Sequence, residues 1–95
     1  GPIWNGGARD EERLLRKCYE SCLRLAAEND CRSVAFPSIS TGIYRFPLEK
    51  ASRIAVRTIL EFLKAHPDME VRMVCFDRET LGYYENALKE QTEFL

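Results

Sequence analysis

The sequence is 95 residues long, 45% apolar and 31% charged, with a formal net charge of −1. That composition is ordinary for a folded soluble domain and excludes a disordered chain. The near-neutral charge gives no general attraction to a polyanion, so no nucleic-acid partner is expected. At this length a single small domain is expected, one whose limited burial favours help from a second copy or a partner.

No apolar run approaches the ~20 residues needed to span a bilayer, and the start lacks the basic, apolar and small regions of a signal peptide. No membrane association and a cytoplasmic setting are therefore the expectation. The four cysteines, Cys18, Cys22, Cys31 and Cys75, admit core packing, a disulfide or a metal pair. A zinc site needs further ligands and His66 is the only histidine, so reduced, buried thiols are expected and no metal.

Residues 1 to 9 open the chain as a glycine-rich loop or frayed start, apolar only at Ile3 and Trp4. Asp10 stands where an N-cap belongs, ahead of Glu11 and Glu12, whose carboxylates favour a helix N-terminus. Leu15, Cys18, Tyr19, Cys22, Leu25 and Ala26 recur at helical spacing, giving an apolar face as far as about Glu28, with Asn29 and Asp30 closing the helix. Arg13, Arg16, Lys17 and Arg24 on the same segment read as a solvated face paired with Glu11, Glu12, Glu20 and Glu28. Cys31 to Phe36 reads as a short strand.

Pro37 to Pro47, P-S-I-S-T-G-I-Y-R-F-P, then links this strand to a helix that opens with Pro47, where a missing amide donor costs nothing. Ser40, Thr41 and Gly42 are small and expose backbone amides, Gly42 tolerates a positive φ, and the following helix offers a weakly positive N-terminus. This is a recipe for an anion site. The loop has no lysine and no G-x-x-x-x-G-K-[ST] pattern, which speaks against nucleoside-triphosphate chemistry with magnesium. Neutral amides suit a diphosphate that is held and not broken. The plainer alternative is a polar turn between strand and helix.

Ala51, Ile54, Ala55, Thr58, Ile59, Phe62 and Leu63 form the cleanest helical stripe, ending before His66-Pro67. Val71 to Phe76 is the second strand, apolar enough to suggest cover on both faces. Asp77 then caps a last helix with the stripe Leu81, Tyr84, Leu88 and Leu95, weakened by Gly82. The order is α-β-α-β-α. A strand, helix and strand in succession imply a right-handed crossover and parallel pairing, so both strand C-termini share the sheet edge where ligands of α/β proteins bind. The Ser40 to Phe46 loop and the Phe76-Asp77 corner should meet there. His66, at the far end of the long helix, is about 25 Å away at the usual rise per residue. A Ser-His-Asp or Cys-His enzyme on this loop is thereby ruled improbable.

The run F-P-S-I-S-T-G-I-Y-R-F-P-L-E-K-A, continued by A-S-R-I-A-V-R-T-I-L-E-F-L, V-R-M-V-C-F-D and Y-Y-E-N-A-L, resembles the second phosphate-binding loop and C-terminal half of the macrodomain family, which binds ADP-ribose. G-P-I-W-N-G-G resembles a segment of the branch containing bacterial O-acetyl-ADP-ribose deacetylases. The implied fold is the three-layer α/β/α macrodomain, present here as a partial α-β-α-β-α unit with parallel strands over residues 1 to 95. No counterpart of the family's G-D-I-T stretch, N-A-A-N segment or glycine-rich first loop is found.

The resemblance implies that the amides of Ser40, Thr41, Gly42, Ile43 and Tyr44 hold the diphosphate of ADP-ribose or O-acetyl-ADP-ribose. Ile43 then acts as an apolar cover, Tyr44 closes over the phosphates or the proximal ribose, Phe46 lines the distal-ribose side, and Phe76 packs on adenine. Asp77 is either a further ligand contact or only the helix cap, the cap being preferred. Trp4 is a site wall or merely an exposed aromatic. Arg45 stands where most relatives have glycine, and it restricts the backbone, crowds the distal ribose or adds a phosphate contact. Relatives of this branch hydrolyse O-acetyl-ADP-ribose or ADP-ribosyl esters with an activated water and no cofactor. The groups that position that water belong to the unmatched half, so no catalytic residue is assigned here, and weak binding with little turnover is expected.

Two other classes of function stand beside this one. In the first, the chain is an assembly element that completes its sheet and site only in a homo-oligomer or with a complementing segment. In the second, it is an α/β fragment with no present function.

Overall fold

A computed structural model of the protein describes residues 10–37 and 47–93. Among them the element order is α1 (Glu11–Glu28), β1 (Ser33–Pro37), α2 (Leu48–Ala65), β2 (Glu70–Val74) and α3 (Arg78–Thr92). β1 and β2 pair in parallel, with Ser33 across from Glu70 and Pro37 across from Val74. The partial α-β-α-β-α unit is therefore as expected, and α2 is the crossover.

α1 starts and stops where the sequence places it, but not by the expected device. Asp10 occupies the N-cap position in the left-handed region, φ 59°, and makes no side-chain cap. Its carbonyl accepts from Leu14 N at 3.0 Å, and its carboxylate sits 3.6 Å from Arg13. A non-glycine residue at positive φ turns its side chain away from the extended geometry that lets an N-cap reach forward. At the other end, Asn29 and Asp30 donate their backbone amides to Leu25, Ala26 and Ala27, and Asp30 takes φ 57°.

The core-facing stripe of α1 is Glu11, Leu15, Tyr19 and Leu23, all fully or nearly fully buried. Leu25, expected inside, is 61% exposed. Six residues beyond Tyr19, it lies about 120° round the helix from it. Glu11, expected in solvent, is 1% exposed. Cys22 and Cys31 are exposed free thiols, and Cys18 and Cys75 are half-buried ones. The expectation of buried thiols thus fails outright at Cys22, because the apolar arc of α1 is wider than the strip that meets the sheet, and at Cys31, which lies in the turn between α1 and β1.

α2 buries Ala51, Ser52, Ala55, Val56, Thr58 and Ile59. The small residues at 51, 52 and 55 leave room for α1 and α3 to flank it. Its buried hydroxyls turn back on their own helix, Ser52 Oγ donating to Glu49 O at 3.0 Å and Thr58 Oγ1 to Ile54 O at 2.7 Å, so neither needs a distant partner. Pro47 sits one position earlier than expected, as the N-cap, with φ −56° and ψ 125°. Tyr19 meets Phe36 edge-on at 5.3 Å between ring centroids, joining α1 to β1.

β2 departs from the expected double cover. Val71 and Met73 pack on the core, as do Val34 and Phe36 of β1. Glu70, Arg72 and Val74 are exposed, with Ser33, Ala35 and Pro37 beside them. The alternation of a strand sends consecutive side chains to opposite faces. Only one face of the sheet is covered among the described residues.

Candidate functional site

Parallel register puts the C-terminal ends of β1 and β2 side by side, Pro37 beside Val74. The chain leaves the sheet at Pro37 and re-enters regular structure at Pro47, whose carbonyl accepts from Ala51 N at 2.8 Å to start α2 at once. The N-terminus of α2 consequently faces the same edge as the strand ends, because a helix that joins two parallel strands must run back along them. A helix N-terminus carries partial positive charge from its unpaired amides. Ser40, Thr41, Gly42, Ile43, Tyr44, Arg45 and Phe46, the expected diphosphate and ribose contacts, lie outside the described residues, as does Trp4.

The other side of this edge is described. Cys75 keeps the inward parity of Val71 and Met73 and packs against the core. Phe76, next in line, is 79% exposed. It lies two residues past the end of β2, not within it as the sequence suggests. Asp77 then turns the chain into α3: with φ −146° and ψ 166° it is an extended N-cap, and its Oδ1 accepts from Thr80 N at 2.7 Å. The backbone and side-chain hydrogen bonds with Thr80 hold the Asp77 carboxyl below the usual carboxylate range. Burial, followed by the charges of Asp77 and Glu85, pushes the Cys75 thiol up, so it is protonated and poorly nucleophilic near neutrality.

His66 is at the opposite end of α2 from the loop. Its Nδ1 lies 3.2 Å from Phe62 O and its ring stacks on Phe62 at 4.0 Å. A cavity of about 410 Å³ lies beside it, lined by turn residues including Asp30, Cys31, Arg32 and Asp68. Most of that lining is exposed, so the cavity is a dent between two turns at the N-terminal edge of the sheet. It is not where α/β sheets hold ligands. Among the described residues no group of three or more His, Cys, Asp or Glu side chains is placed to hold a metal ion, and no helix is long and apolar enough to cross a membrane.

One feature was not visible in the sequence. Val56, Leu60, Met73, Cys75, Leu81 and Leu88 line an apolar cavity of about 260 Å³ between α2, β2 and α3. Leu81 and Leu88, expected in the core stripe of α3, are 44% and 47% exposed along it. The buried stripe of α3 is instead Thr80, Tyr84 and Ala87. The Tyr84 hydroxyl is pushed far above its ordinary value by burial and then by neighbouring Tyr19, so it stays neutral.

Comparison with known proteins places this geometry. The family model described as "Macro domain" matches residues 1–55. The O-acetyl-ADP-ribose deacetylase of Enterobacter cloacae is 47% identical over 96 residues, covering 100% of this chain and 53% of that protein. The Escherichia coli protein of the same name is 47% identical, covering 96% and 52%. Among solved structures, the Oceanobacillus iheyensis macrodomain with ADP superimposes with a TM-score of 0.94 at 38% identity, over 100% of this chain and 50% of that one. The Trypanosoma brucei macrodomain in complex with ADP-ribose gives 0.74 at 40%, over 81% and 34%. The chain spans about half the length of the curated relatives it matches. With the model matching more than half of its residues and the parallel crossover as the family resemblance implies, the chain belongs to the macro domain family.

Proposed function

We propose that this chain supplies the diphosphate and base subsites for ADP-ribose or O-acetyl-ADP-ribose. The diphosphate rests on the main-chain amides of Ser40 to Tyr44 ahead of the α2 N-terminus, and adenine stacks on Phe76. Arg45 and Phe46 lie toward the distal ribose. Ester hydrolysis, the activity named for the relatives, is assigned to the full-length fold; the 95-residue chain binds weakly and turns over little. A cytoplasmic setting belongs to the same reading.

The observation that carries this is the exposure of Phe76 directly beyond the paired strand ends. A large aromatic at 79% exposure gains nothing from the core, and an open π-face just beyond the paired strand ends suits a nucleotide base. Stacking of a base on an aromatic side chain contributes about 1–3 kcal/mol. Calorimetric titration with ADP-ribose should therefore show Phe76→Ala weakening binding about tenfold or more with the fold intact. An unchanged affinity would remove the base subsite.

A second reading is favoured by the uncovered sheet face and the apolar cavity at α2, β2 and α3. In it the site is complete only when another polypeptide, a second copy or a complementing segment, covers the sheet. Parallel strands with an open face are uncommon because their apolar surface and edge groups stay wet.

A further inference from the structure

We propose that Asp77 is a positioning residue for the base subsite: by capping α3 it fixes the backbone corner that presents Phe76. The inference rests on the ADP-ribose reading above.

Phe76 has almost no packing of its own to orient it, being 79% exposed. Its direction is therefore set by the backbone on either side. On the strand side, Cys75 is packed against the core, while Phe76, next to it and just past β2, is left in solvent. On the helix side, two bonds hold the turn. Asp77 O accepts from Leu81 N at 3.1 Å, and Asp77 Oδ1 accepts from Thr80 N at 2.7 Å. The first exists in any helix; the second depends on the side chain alone. Without it the first turn of α3 frays, the extended geometry at Asp77 loses its restraint, and Phe76 samples directions that do not stack. Ordering it again on binding costs affinity.

The same residue type admits a different role, direct contact of the carboxylate with the ligand, and the two separate by experiment. ADP-ribose is titrated into the wild-type protein, Phe76→Ala, Asp77→Ala, the double variant and Asp77→Asn, with helix content recorded for each. Asparagine caps a helix about as well as aspartate, without charge.

The expected result is a several-fold loss for Asp77→Ala, affinity within twofold of wild type for Asp77→Asn, and no further loss when Asp77→Ala is added to Phe76→Ala. That non-additivity marks an effect transmitted through Phe76, which a general loss of stability does not produce. If Asp77→Ala does not fold, Asp77→Gly replaces it, since glycine at an N-cap costs only a few tenths of a kilocalorie and still removes the acceptor. A full extra loss in the Phe76→Ala background, or no rescue by asparagine, overturns the positioning role. If Phe76→Ala itself leaves affinity unchanged, the ADP-ribose reading fails first and this inference falls with it.

Discussion

Asp77 and Asp10 are the same residue type in the same position relative to a helix, yet only one caps. Asp77 has an extended backbone and reaches Thr80 N, whereas Asp10 at φ 59° does not reach back over its first turn. Residue type announced both helix starts, and backbone conformation decided which side chain contributes. A titration follows. The Asp77 carboxyl is held below the ordinary aspartate value by its bonds with Thr80, so its contribution to stability is complete above that ordinary value and is lost as pH falls through the lowered one. Thermal unfolding should show the wild type losing stability more steeply than Asp77→Asn as pH drops below about 4. Parallel curves would show that the charge on the capping carboxylate contributes nothing to folding. Glu11 is the converse case: its charge gave it to the solvent in the sequence, and its place three turns ahead of Leu23 on the core-facing row buries it.

At the scale of elements, α2 is the most legible part of the chain, because its apolar stripe, proline entry and His66-Pro67 exit all agree. Charged links then set its neighbours. Arg53 lies 3.1 Å from Glu49 on its own helix and 3.3 Å from Glu90 on α3, and Lys50 reaches Glu12 of α1 at 3.9 Å. These groups are about half exposed and salt-screened, so they orient more than they stabilise. In α3 the interior glycine is open to improvement. A Cβ at Gly82 meets nothing within 4 Å, so Gly82→Ala removes unfolded-state freedom without a clash. Stability should rise by about 1 kcal/mol, read as a higher midpoint in urea at unchanged slope. A lowered midpoint would mean that the position serves a contact absent from the present structure. The two leucines that the periodicity places inside α3 are half exposed, because a helical stripe marks an apolar side without saying how much of it a neighbour covers.

At the scale of the whole molecule, the three helices and two parallel strands of the described residues bury one core through Leu15, Tyr19, Leu23, Phe36, Ala55 and Tyr84. They leave Ser33, Ala35, Glu70, Arg72 and Val74 on an open sheet face. Arg72 and Glu70 pair there at 2.8 Å, as expected of two residues on one side of a strand. If that face and the α2–β2–α3 cavity are covered in use, light scattering at rising concentration should show self-association, or a complementing segment should raise both the unfolding temperature and the affinity for ADP-ribose. A stable monomer indifferent to any added segment would sink the assembly reading.

By itself the sequence determined the α-β-α-β-α order, the parallel crossover, the Asp77 corner and the family. These depend on local periodicity, turn chemistry and a contiguous motif, all of which are written along the chain. Only the tertiary structure decided which arc of α1 is buried, that one face of β2 is open, and that Phe76 stands free just beyond the paired strand ends. Burial is a property of what packs opposite a residue, and that neighbour is distant in the chain.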